Sequence, residues 1–210
     1  VTYITVSQTA AGGASFTLTS ATAPRETGAS ATLTLDLGDA DLDELKRLDH
    51  LAMNASTTHV SWLSYTLLDR GALANPLLES GEGMRVASYV ADETDPVLGS
   101  YDVDLQARTM TLHFDEPVRV ASFNASCLRL QESTLADEGQ SYALFDSYAV
   151  DDSGADAVSV LDLDVEVGDD DYDAINDLSR LAKDIDSLRL VAAPCAAADA
   201  AGNPLTEIVD

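Results

Sequence analysis

Basic residues are scarce in this chain: eleven Lys and Arg stand against thirty-seven Asp and Glu, a formal charge of -26 at pH 7. Such a balance repels a phosphate backbone and an anionic bilayer surface, which argues against nucleic acid as a partner. Long apolar runs are missing as well. None approaches the ~18 residues that suggest a membrane span, so no membrane insertion is expected. The three histidines, His50, His59 and His113, fall in no HExxH or other metal spacing. There is also no Gly-x-Ser-x-Gly elbow, no P-loop and no dinucleotide-binding glycine pattern, so the chain is not expected to be an enzyme.

Cysteine is nearly absent too. Cys127 and Cys195 both fall on expected strands, and they read either as two buried thiols or as a disulfide. Asn54-Ala55-Ser56 and Asn124-Ala125-Ser126 are N-glycosylation sequons, which speak for a secretory, oxidising route.

What is present is self-similarity. Leu37-Gly38-Asp39-Ala40-Asp41-Leu42-Asp43 recurs as Val167-Gly168-Asp169-Asp170-Asp171-Tyr172-Asp173, and Leu33-Thr34-Leu35 as Leu163-Asp164-Val165, all 130 residues on. Asn75-Pro76-Leu77 recurs as Asn203-Pro204-Leu205 after a two-residue slip. The copies keep apolar and turn residues but not His, Cys or Ser, so a scaffold is duplicated rather than an active site. The repeat divides the chain into 1–91 and 95–210, joined by Ala91-Asp92-Glu93-Thr94-Asp95-Pro96. The opening segment Val1–Val6 aligns best with the strand around Cys127–Leu130, so the first unit lacks any answer to Asp95 through about Phe123. The expectation is a window on a longer chain, with an upstream segment or a neighbouring subunit completing the sheet beside Val1–Ser7 or Phe16–Ser20.

Period-two alternation dominates the pattern. Met110, Leu112 and Phe114 alternate with polar residues, as do Leu161, Leu163, Val165 and Val167, and Leu33, Leu35 and Leu37. Half-buried strands follow. Turn residues at Ala11-Gly12-Gly13, Asp115-Glu116-Pro117, Asp151-Asp152-Ser153-Gly154 and Gly202-Asn203-Pro204 separate them. The fold class is all-β: two tandem antiparallel sandwiches, each with one short helix. The helices are expected at about 41–51 and 171–182, with Asp41 and Asp171 as N-caps.

The run Leu112-His113-Phe114-Asp115-Glu116-Pro117-Val118, then Phe123-Asn124-Ala125-Ser126 before Leu128-Arg129-Leu130-Gln131, then the Asp-Leu-Asp helix, then Ala198-Asp199-Ala200-Ala201-Gly202-Asn203-Pro204-Leu205, resembles immunoglobulin-like repeats. These occur in very large extracellular proteins of algae and other protists, among them mastigoneme-type glycoproteins that sheathe flagellar hairs. The ending is also similar to bacterial surface Ig-like repeats. The first unit departs from the pattern in Asp69-Arg70-Gly71-Ala72-Leu73-Ala74-Asn75-Pro76-Leu77, which lacks the Gly before Asn. The resemblance implies a building block of a surface filament or adhesive stalk, located at a cell or flagellar surface. Its partners would be neighbouring copies or other filament chains, with N-glycans on Asn54 and Asn124.

No cofactor is required, though calcium is a candidate. Asp169, Asp171 and Asp173 open like an EF-hand loop, but position six is Ala174 and position twelve is Arg180, which excludes one. The remaining calcium candidates are the junction carboxylates Asp92, Glu93 and Asp95. Trp62, Tyr65, Tyr142 and Tyr148 could stack on sugars, with core packing as the simpler fate. A cation-dependent or glycan-binding adhesin is therefore the alternative function.

Overall fold

A computed structural model describes residues 3–25, 30–48, 50–69, 71–133, 139–151 and 158–209. The chain divides into two compact units, Val1–Ala91 and Asp92–Asp210. It is mostly β, built of antiparallel sheets with two α-helices. None of the described helices is long and apolar enough to cross a membrane.

The first unit runs β1 (Ile4–Thr9), β2 (Gly12–Thr17), β3 (Ala23–Pro24), β4 (Leu35–Asp36), α1 (Asp39–Arg47), β5 (His59–Trp62) and β6 (Met84–Arg85). One sheet has the order β2-β1-β5-β6, and β3 pairs with β4 alone. The second unit runs β7 (Leu98–Asp104), β8 (Thr109–Arg119), β9 (Leu128–Gln131), β10 (Ser141–Ala143), β11 (Tyr148–Ala149), β12 (Ser159–Glu166), α2 (Asp169–Asp177) and β13 (Arg189–Ala192). Its sheets are β10-β9-β13 and β11-β12-β8-β7. Alternation along β8 and β12 puts Met110, Leu112, Leu163 and Val165 inward, where they share one buried cluster with Leu128, Leu130 and Leu190 of the other sheet.

The same pairings recur in the two units. Val6 faces Val60 on one side and Phe16 on the other; Leu130 faces Leu190 and Tyr142. Leu18 N–H donates to the Ile4 carbonyl at 2.9 Å, and Leu144 N–H to the Leu128 carbonyl at 3.1 Å. Ala23–Pro24 meets Asp36–Leu35 in the register in which Tyr148–Ala149 meets Glu166–Val165. After each helix the chain turns through an alanine of positive φ, Ala52 and Ala182, whose N–H donates to Thr57 and Ser187 respectively.

Four expectations need correction. Both helices start two residues earlier than expected and end several residues sooner, with Gly38 and Gly168 as N-caps and Asp41 and Asp171 inside the first turn. Close approach explains the glycines: a Cβ on Gly38 would lie 2.4 Å from the Ala21 carbonyl oxygen, and one on Gly168 2.3 Å from the Asp146 side chain. Secondly, Asp115-Glu116-Pro117 is not a turn between strands. It lies within β8, where the register against β12 jumps from His113 to Val118, so the proline sits in an irregularity that needs no ladder N–H.

Thirdly, of the two places expected for a completing strand, the one beside Val1–Ser7 is closed, because β1 already lies between β2 and β5; β2, which carries Phe16, is the edge of that sheet. The strands without a first-unit equivalent are β7 and β8, whose place would be beside β4. Fourthly, the Asp69-to-Asn75 turn, two residues longer than Asp199-to-Asn203 and lacking the glycine before Asn75, closes with the same bond: Asp69 N–H donates to the Asn75 carbonyl at 2.9 Å, and Asp199 N–H to the Asn203 carbonyl at 3.0 Å. The turn expected at 151–154 lies, after Asp151, outside the described residues.

Candidate metal centre

Asp199 follows the single-turn 3₁₀ helix Pro194–Ala196 and is almost fully buried. Its Oδ1 accepts the backbone N–H groups of Gly202 and Asn203, both at 2.7 Å, while its Oδ2 accepts from Asn203 Nδ2 at 2.9 Å. That loop is a clasp. Asn203 Nδ2 also donates to the Asp92 carbonyl at 3.1 Å, and Thr206 N–H to the Pro96 carbonyl at 2.8 Å, so the clasp holds the segment that opens the second unit. Asp115 holds it from the other side, accepting the Val97 N–H on its Oδ1 at 2.7 Å.

Glu116 is the third member. It is buried on the irregular part of β8, next to Val118, which bridges to Asp199. The carboxylates of Asp92, Glu116 and Asp199 bring one oxygen each within 4.8 Å of one another, and this is the one such acidic group among the described residues. Carboxylate oxygens are the hard donors that calcium and magnesium take, and calcium would draw the remainder of its ~6–8 ligands from carbonyls and water.

The structure thus brings together only one of the three junction carboxylates read from the sequence. Asp92 joins the group; Glu93 and Asp95 are exposed and stand outside it. Asp171 is not available as a ligand in any EF-hand sense. It is buried, and its two oxygens accept from the backbone N–H groups of Phe145, Asp146 and Ser147 and from the hydroxyls of Ser147 and Tyr142. Burial pushes this carboxyl up, but those hydrogen bonds outweigh it and hold it below the usual carboxylate range. The same environment pushes the Tyr142 hydroxyl up to about 12, through burial and its bond to Asp171. Asp41 plays the matching part in the first unit, accepting from Thr19 N–H and from the hydroxyls of Thr19 and Thr22.

Cys127 and Cys195 form a disulfide with Cα atoms 5.8 Å apart, tying the ends of the neighbouring strands β9 and β13. Asn54 and Asn124 are exposed and each folds its own sequon into a tight turn. Asn54 Oδ1 accepts from Ser56 N–H (2.8 Å) and Oγ (2.5 Å), and Asn124 Oδ1 from Ser126 N–H (3.2 Å) and Oγ (2.7 Å). Trp62 is half-buried against the first unit's core and donates Nε1–H to the Leu78 carbonyl at 2.8 Å; Tyr142 is half-buried too, while Tyr65 and Tyr148 are exposed. They form no common platform: Tyr142 is committed to Asp171, and Trp62 to core and backbone.

Glu116 and Asp199 were passed over in the sequence, although both lie in the stretches that carry the Ig-like resemblance. A glutamate between a strand's apolar run and a proline reads as punctuation, and burial of its side chain leaves no trace in spacing. No family model, curated protein or solved structure matches the chain.

Proposed function

We propose that the protein is a structural and interaction module of tandem immunoglobulin-like sandwiches, belonging to a secreted cell-surface or flagellar filament glycoprotein of the mastigoneme type. One observation carries this reading: both units spend their buried polar groups on holding the scaffold. Buried Asp41 and Asp171 tie the first helical turn to the loops that follow β2 and β10, through Thr19 and Thr22 and through Phe145 and Ser147, and buried Asp199 closes a turn onto Asn203 as the exposed Asp69 does onto Asn75. Work of this kind is mechanical. Tension along such a chain is resisted by antiparallel ladders, while edge strands and glycans set lateral contacts.

The disulfide and the exposed sequon turns support an extracellular setting. Both asparagines use Oδ1 for the turn and stand exposed, while Asn124 Nδ2, the atom to which glycan attaches, donates to Cys127 Sγ at 3.2 Å. Glycopeptide mass analysis of native material decides: hexosamine is expected on the Asn54 and Asn124 peptides, and its absence from both removes the extracellular reading. Alkylation without prior reduction should leave Cys127 and Cys195 unlabelled.

The second reading, a cation-dependent adhesin, is favoured by the Asp92–Glu116–Asp199 group. Under it, millimolar calcium raises the melting temperature of the second unit, chelation lowers it, and Glu116→Gln abolishes the difference. No calcium response in the wild-type chain leaves the structural reading alone.

A further inference from the structure

Leu163, Val165 and Val167 are buried at 0%, 0% and 3% exposure, on and just after β12, which lies beside β8 in the sheet that β7 extends. Their counterparts 130 residues earlier are Leu33, Leu35 and Leu37, and here the burial fails: Leu33 is 39% and Leu37 42% exposed, with Leu35 half-buried. β4, which carries Leu35, pairs with β3 but, among the described residues, with no second strand. Alternate leucines on and flanking a short strand with one open side make a surface that proteins pair or cover.

What covers it can be read from the second unit. There β12 meets β8 antiparallel, with Leu163 opposite Leu112 and Val165 opposite Met110, and β7 pairs with the far side of β8. In chain order the β7–β8 hairpin comes immediately before β9, and β9 holds the same sheet position between two strands as β1. We propose that the Leu33–Leu37 edge is the acceptor for a β-hairpin of the β7–β8 kind, with apolar residues at alternate positions, joined to the polypeptide ahead of β1. A second copy of this chain is a poorer occupant, because its β7–β8 hairpin is already paired to its own β12 through seven register positions. The proposal rests on reading the two units as repeats of one scaffold, and holds whether or not the protein reaches a cell surface.

Hydrogen exchange on two forms of the chain tests it: the 210-residue protein, and the same protein extended by a copy of Asp95–Asn124 placed directly ahead of Val1. In the unextended chain, amides of Val6, Phe16 and Ser61 should be as protected as those of their equivalents Leu130, Tyr142 and Val191; fast exchange of the first three would break the repeat reading itself. In the extended chain, amides over Leu33–Leu37 should slow by at least tenfold. A matching extension whose equivalents of Met110 and Leu112 are aspartate should leave them fast. Unchanged exchange over Leu33–Leu37 with unit-two protection intact overturns the hairpin alone. So does a concentration-dependent dimer of the unextended chain that already protects those amides, since a second copy would then be the occupant.

Discussion

The second unit buries Leu163, Val165 and Val167 in a cluster that joins both its sheets, whereas the first unit leaves Leu33 and Leu37 outside a core of Ile4, Val6, Leu18, Leu45 and Leu51. Yet the three-stranded arrangement, the helix and the Asp–Asn clasp are alike in both. The difference teaches which parts of the fold depend on which. The sheet containing β1, the helix and the turn after it hold together without β7 and β8; the burial of the opposite strand does not. A further contrast lies at the sheet's end. Where Ala193 N–H bonds to the carbonyl of Cys127, Leu63 N–H bonds to that of Tyr3, so an exposed tyrosine stands where the second unit has half of its disulfide.

That disulfide gives the largest expected separation between the units. It closes a loop with a sequence separation of 68, so its removal by Cys127→Ala with Cys195→Ala should destabilise the second unit by about 4 kcal/mol on a chain-entropy estimate. The first unit should be untouched. The single tryptophan, Trp62, reports on the first unit alone, so its fluorescence transition in urea should stay put while the exchange protection of Leu130 and Val191 falls. A matching shift of the Trp62 transition would show that the two units unfold as one.

Leu163→Ala should cost about 2–5 kcal/mol, the range for emptying a packed leucine site. Leu33→Ala should cost less than about 1 kcal/mol, because much of that side chain is already in water. Equal costs, measured by denaturant unfolding of each variant, would mean that Leu33 is packed in solution and the contrast between the units is false.

Much of this contrast could be read from the residues. Period-two alternation at Met110–Phe114 and Leu161–Val167 marks β8 and β12, and the 130-residue displacement matches α1 to α2. The helix starts were misjudged because Asp41 and Asp171 have the chemistry of N-caps. Their acceptor oxygens are used instead by Thr19, Thr22, Phe145 and Ser147, partners some twenty residues away that no local pattern announces. Only one of the three metal candidates is legible, for the same reason: Asp92 is a junction carboxylate, whereas Glu116 and Asp199 come together only through the long-range Val118–Asp199 bridge.

Acid should weaken both units through those aspartates. Asp41 and Asp171 have folded-state values below the usual 3.8, because hydrogen bonds to the ionised form outweigh burial. A depressed carboxyl contributes stability that is complete above its unfolded value and is lost as pH falls through the folded one. Stability should therefore fall below about pH 4. Asp171→Asn should flatten that slope for the second unit and Asp41→Asn for the first, and a slope unchanged by either would mean that other carboxylates carry the acid response.

The smallest effect belongs to a face that only the second unit has. His113 on β8 sits between Asp162 of β12, 2.7 Å from its Nδ1, and Asp102 of β7, 3.0 Å from its Nε2. Those two hydrogen bonds, Asp162's first, raise the imidazole above its ordinary value of 6.5, against a weaker opposing effect of burial. A raised histidine contributes stability that is fully present below the unfolded value and is lost as pH rises through the folded one. The second unit should thus lose a small increment of stability as pH rises from about 6 toward 8, with solvent and salt screening keeping it minor. His113→Gln should erase this dependence, and the Trp62 transition should never show it, since among the described residues nothing equivalent to β7 and β8 flanks Thr32 in the first unit. An NMR titration of His113 at or below 6.5 would remove the bridge from solution, and with it this difference between the units.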